Sequence, residues 1–205
     1  GSGGRYFHGA SRLRVSATDE LVLGDTTVLS QAFSGASRFN GAIGNWNTSN
    51  VTTMASMFYN ADAFDQPLVD WDTGSVTDMS QMFYSANVFD QSLEDWDVDH
   101  VLTFSQMFSS TNAFDGSVSG WNPTAATNLS QMFSSTRAFN QPIDWATTNA
   151  TNLSQMFYDA DAFNSPISLS TGNVTTMASM FAFAELFNQS VSAWNTGSVT
   201  TMAQM

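Results

Sequence analysis

The stretch FDQPLVDWDTGSVTDMSQMFYSANV, from Phe64 to Val88, decides how the chain folds, because the same frame returns on both sides of it. Units of this kind begin at Phe39, Phe64, Phe89, Phe114, Phe139, Phe163 and Phe187, so the chain holds seven of them. They run 25 residues, except for the fifth and sixth at 24 and the incomplete last one. Both shortenings fall beside the Trp position, which marks a segment that tolerates length change. Upstream, VLSQAFSGASR (Val28 to Arg38) matches the second half of a unit. Residues 1–27 are then the atypical part, an expected N-terminal cap or extension with Leu21-Val22-Leu23 as a short cap strand. Residues 28–205 form the repeat array, expected to continue past Met205.

Within a unit the apolar residues change period. Val76, Met79 and Phe83 are spaced i, i+3, i+7, with Met82 beside them, and this predicts a short helix or successive helical turns. Phe64 to Trp71, with Leu68 between and Pro67 interrupting, predicts an extended segment with a bend. The expected fold is therefore a leucine-rich-repeat-like α/β solenoid of about seven to eight coils, each with one short strand and one short helix or helical turn. About six large apolar residues per unit cannot bury themselves within one coil, so they must stack on neighbouring coils, at roughly 1.5–3 kcal/mol per side chain.

Residues of the form Trp in mid-unit, Met-Phe near the end, and Asn or Asp after the leading Phe make this array resemble the BspA-type leucine-rich-repeat surface proteins over Val28 to Met205. The resemblance implies a right-handed leucine-rich-repeat solenoid and a secreted or cell-surface adhesion role. That family commonly carries Cys three residues after Met-Phe. Here Ala61, Ala86, Thr111, Thr136, Ala160 and Ala184 stand there, which keeps the position small without the thiol.

Composition narrows the function. The net charge is −13, Lys is absent, and after Arg38 the only cation is Arg137. Such an array has nothing to neutralise phosphates or dock on anionic lipid, which argues against nucleic acid and membrane surfaces. No segment is apolar enough to span a bilayer. Cysteine is absent, so no disulfide or thiolate site exists.

Three patterns carry candidate chemistry. Asn40, Asp65, Asp90, Asp115, Asn140, Asn164 and Asn188 follow each leading Phe and predict a ladder bonding the adjacent turn's backbone. Asp70-Trp71-Asp72 and Asp95-Trp96-Asp97 place carboxylates on both sides of an inward Trp. With Asp99 these five aspartates form either a solvated acidic face or a calcium site built of oxygen ligands. Ten of the 18 acidic residues lie between Asp62 and Asp99, which is why this is the place to look. The threonine file at Thr52, Thr77, Thr127, Thr151, Thr175 and Thr200 is expected to cap helices, with ice or glycan binding as the sharper alternative. Seven Asn-x-Ser/Thr sequons, beginning at Asn47, Asn50, Asn128, Asn149, Asn152, Asn173 and Asn188, follow from a composition rich in Asn, Ser and Thr.

His8 and His100 are isolated, and neither a nucleophile elbow nor a phosphate loop occurs. The expected function is a non-enzymatic interaction or adhesion module, extracellular or on the cell surface, with a protein or glycan as partner. The alternative is a structural subunit of a larger assembly or fibre, lumenal or organellar, self-associating through coil ends. A polysaccharide-cleaving solenoid using Asp95 and Asp97 is the minor alternative.

Overall fold

The computed structural model describes residues 7–10 and 27–205. The expected cap strand at Leu21-Val22-Leu23 lies outside the described residues. Successive units stack as parallel coils. A single residue per coil carries the stack as a parallel bridge, running Val28, Thr53, Asp78, Thr103, Asn128, Asn152, Thr176 and Thr201. In front of the first coil, Phe7 and Gly9 donate their N–H groups to Ala32 and Ser34 carbonyls at 2.8 and 2.7 Å.

The expected helix does not form. From Met79 to Phe89 the chain makes overlapping i to i−3 turns, closed by the N–H groups of Met82, Tyr84, Ala86 and Phe89 on the carbonyls of Met79, Gln81, Phe83 and Ala86. The intervening N–H groups of Gln81, Phe83 and Ser85 leave the coil and reach Ser105, Met107 and Ser109 in the next one, each at 2.9 Å. An α-helix would keep every one of those bonds inside the segment. Gln81 and Ser85 also sit at φ 57° and 52°, and the same two positions are left-handed in the other coils. Left-handed residues interrupt a right-handed helix. Consecutive turns return the chain inward every three or four residues, so they reproduce the i, i+3, i+7 spacing without being helical.

Regular strands are confined to the shortened units among the described residues: β1, Ile143–Trp145, and β2, Ile167–Leu169. They pair in parallel, Ile143 with Ile167 and Trp145 with Leu169. In 25-residue units two residues separate the corresponding buried pair, and the gap closes as a turn, with Trp71 N–H on the Leu68 carbonyl at 3.1 Å. Removing one residue leaves a buried, exposed, buried triplet, which is the period of an extended strand. The one-residue deletion thus changes a turn into a strand while both core residues stay inward.

The core is a set of aromatic files. Phe33, Phe58, Phe83, Phe108, Phe133, Phe157 and Phe181 stack with ring centroids 5.4–5.6 Å apart. A second file runs from Phe39 through Phe64, Phe89, Phe114, Phe139 and Phe163 to Phe187 at 5.7–6.0 Å. Within a coil the two files touch, as Phe83 and Phe89 do at 4.0 Å. Phe64, Phe89, Phe114, Trp71, Trp96 and the Met82-Phe83 pair are buried, as the repeat register requires. The small positions Ala61, Ala86, Thr111 and Thr136 are fully buried, and the Thr111 hydroxyl donates to the Phe83 carbonyl.

Candidate functional site

The surface of the array is built from files of side chains whose first task is to satisfy backbone groups between coils. Asp65 accepts the N–H of Asp90 at 3.1 Å, Asp90 that of Asp115 at 2.7 Å and Asp115 that of Asn140 at 2.8 Å. Asn40, Asn140 and Asn164 do the same for Asp65, Asn164 and Asn188. The expected Asn/Asp ladder is therefore present, one rung per coil, and carboxylate and amide serve alike because only an acceptor oxygen is needed.

The threonine file has a different role from helix capping. Thr52, Thr77, Thr127, Thr151, Thr175 and Thr200 each donate a hydroxyl to the preceding coil's carbonyl, as Thr52 does to Thr27 at 2.9 Å. With no helix to cap, the hydroxyl doubles the bond that the same residue's N–H already makes to that carbonyl. Leu102, half exposed, interrupts the file.

Three further files escape a reading by residue type and announce themselves only by recurrence. Gln81, Gln106, Gln131 and Gln155 form an amide ladder with contacts of 2.6–2.7 Å, all at left-handed positions. Thr48, Thr73, Thr147 and Thr171 donate inward to the next coil's carbonyls. Trp71, Trp96, Trp121 and Trp145 each donate the indole N–H to a carbonyl of the coil before. Among the described residues no buried side-chain polar atom lacks a partner.

The five aspartates of the expected calcium site are all exposed, and Trp71 and Trp96 between them point inward. Asp72 and Asp97 are also engaged locally. Asp72 Oδ1 accepts the Gly74 N–H at 3.1 Å, and Asp97 Oδ1 accepts the Asp99 N–H at 3.0 Å, each closing the turn after its Trp. Asp70, Asp95 and Asp99 project into solvent from the same region. Among the described residues no group of three or more His, Asp or Glu side chains stands close enough to hold a metal ion. No helix is long and apolar enough to cross a membrane.

An aromatic row crosses this polar surface at the residue after each Met-Phe pair. Tyr59 and Tyr84 stack at 4.8 Å. Ser109 and Ser134 replace tyrosine in the next two coils, and Tyr158 resumes the row in edge contact with Phe183 at 5.2 Å. Arg137 stands three residues beyond Ser134, exposed and without an ion-pair partner among the described residues.

No curated protein and no solved structure matches the chain. One family profile matches in three overlapping segments, residues 5–119, 91–171 and 144–205, which fits the repeated sequence frame. Those segments cover nearly the whole chain, which therefore belongs to the repeat family described as "Mycoplasma protein of unknown function, DUF285".

Proposed function

We propose that the chain is a non-enzymatic interaction module of the BspA type, which presents its outer files to a protein or glycan partner outside the cell or at its surface. The observation that carries this reading is the division of labour in each coil. The phenylalanine files fill the core, while exposed or half-exposed Asp, Asn and Thr recur at fixed places from coil to coil, so a similar polar contact repeats along an extended face. A repeated weak contact gains affinity by multivalency rather than by one deep pocket. Surface carboxylates without a partnering acid, base or nucleophile fit recognition better than cleavage at Asp95 and Asp97.

The test is binding of the immobilised chain to arrays of glycans and of extracellular proteins, compared with a variant in which Tyr59, Tyr84 and Tyr158 are replaced by Ser. Loss of a parent ligand in the variant supports the reading. Absence of any ligand for the correctly folded parent overturns it.

A structural role is the second reading, and an apolar pair of the sixth unit favours it. Phe183 and Leu186 are 65% and 59% exposed. Exposed apolar side chains promote association. Light scattering that shows growth of mass with concentration supports assembly, and a stable monomer at high concentration removes it.

A further inference from the structure

We infer that Asn40 is a site of spontaneous covalent modification, where ring closure onto Gly41 expels the side-chain amide as ammonia and leaves an aspartate or isoaspartate in its place. Asn40-Gly41 is the only Asn-Gly step in the chain. Glycine has no Cβ to keep its main-chain nitrogen away from the preceding side chain. In the reaction the Gly41 nitrogen gives up its proton to base and bonds to Asn40 Cγ, while the amide nitrogen takes a proton and leaves as ammonia. Water then opens the succinimide. Cleavage of the new N–Cγ bond gives aspartate, and cleavage of the original peptide N–C bond gives isoaspartate, whose chain runs through the side chain. The sum is asparagine plus water giving acid plus ammonia, with no change of oxidation state.

The fold supports this chemistry at Asn40. The residue is exposed, and the stretch from Phe39 to Ile43 is neither helix nor strand, so ring closure breaks no regular element. Asn40 Oδ1 accepts two hydrogen bonds from the next coil, from the Asp65 N–H at 3.0 Å and from Gln66 Nε2 at 2.9 Å. Both donors point at the oxygen that gains negative charge as the Gly41 nitrogen adds to Cγ, and such donors stabilise that charge. The repeat supplies a matched control. Asn164 Oδ1 accepts the same pair, the Asn188 N–H and Gln189 Nε2, each at 3.0 Å, but Ser165 follows it where Gly41 follows Asn40. Asp115-Gly116 shares the glycine, but a carboxylate is a poorer electrophile than an amide. The ladder then sorts the products. An aspartate keeps the acceptor and extends the carboxylate file of Asp65, Asp90 and Asp115 by one rung, whereas isoaspartate lengthens the backbone and withdraws the acceptor from the Asp65 N–H.

The test is to age the folded chain at neutral and mildly alkaline pH, follow each asparagine by peptide mass mapping, and count isoaspartate by enzymatic methylation. Parallel samples are aged in denaturant. Two variants accompany the parent. Gly41→Gln places there the residue that Gln66, Gln91, Gln141 and Gln189 already hold in other coils, so it is expected to fold and melt as the parent does. Asn40→Asp reproduces the normal product and is expected to melt as the parent does, because only an acceptor is needed. In the folded parent, Asn40 is expected to convert several-fold faster than Asn140, Asn164 and Asn188, and faster still as pH rises, since the attacking nitrogen must lose its proton. Gly41→Gln is expected to slow it to the rate of Asn164. Aged parent should then separate into material that melts with Asn40→Asp and an isoaspartate fraction that melts lower. Conversion of Asn40 no faster than that of Asn164, an unchanged rate in Gly41→Gln, or conversion confined to the denatured chain overturns the inference.

Discussion

Each residue of a coil is tied to its copies above and below, so single substitutions propagate. Phe89 lies 4.0 Å from Phe83 and 6.0 Å from both Phe64 and Phe114. Truncation to Ala opens a cavity shared by three coils, and Phe89→Ala is expected to cost ~3–5 kcal/mol in denaturant unfolding. Asp90 tests the ladder more gently. Asp90→Ala strips the acceptor from the Asp115 N–H and is expected to cost about 0.5–1.5 kcal/mol. Asp90→Asn keeps an acceptor oxygen, as Asn140 does for Asn164, and is expected to melt like the parent. Equal loss in both variants would show that charge, and not the acceptor, matters there. Both sites were legible from spacing alone, since an identical residue type at an identical offset in every unit has few places to go but a stacked file.

At the element scale the instructive residues are Val76, Met79 and Phe83. Their spacing fits a helix, but it also fits a chain of i to i−3 turns, and periodicity cannot separate the two. Gln81 and Ser85 at positive φ decide for turns, and neither residue type advertises a left-handed backbone. Circular dichroism of the folded chain is accordingly expected to lack the paired minima of α-helix. The β1 and β2 segments suggest an indel experiment. Inserting one Asn between Asp144 and Trp145 restores the 25-residue unit and replaces a strand with the turn seen at Leu68 to Trp71, so the melting temperature should move by only a few degrees. Deleting Gln131 instead shifts Met132 and Phe133 against their neighbours' bonds and removes a rung of the amide ladder. That deletion is expected to prevent cooperative folding, because a one-residue slip turns the core side chains away from the core. Similar effects for the two changes would count against the assignment of tolerant and intolerant halves.

At the scale of the whole molecule, stability is shared along the stack and opposed by charge. With a net charge of −13 and ten acidic residues within Asp62 to Asp99, added sodium chloride is expected to raise the melting temperature by screening. Calcium is expected to do no more than sodium or magnesium at matched ionic strength, because no three carboxylates among the described residues converge. A rise specific to calcium, lost in an Asp95→Asn, Asp97→Asn double variant, would show instead that these aspartates bind the ion. The two outcomes separate a solvated acidic face from a cation site on one set of melting curves.

The repeat, its register, the inward rings, the outward aspartates around Trp71 and Trp96 and the acceptor ladder after each leading Phe are all legible in the chain. All of these follow from burial and from recurrence at a constant offset, which any stacked arrangement must honour. Stacking settles what recurrence leaves open. It turned the Met-Phe segment into paired turns, because alternate N–H groups find better partners in the next coil than within their own. It gave the outer threonines a carbonyl to bond instead of a helix to cap.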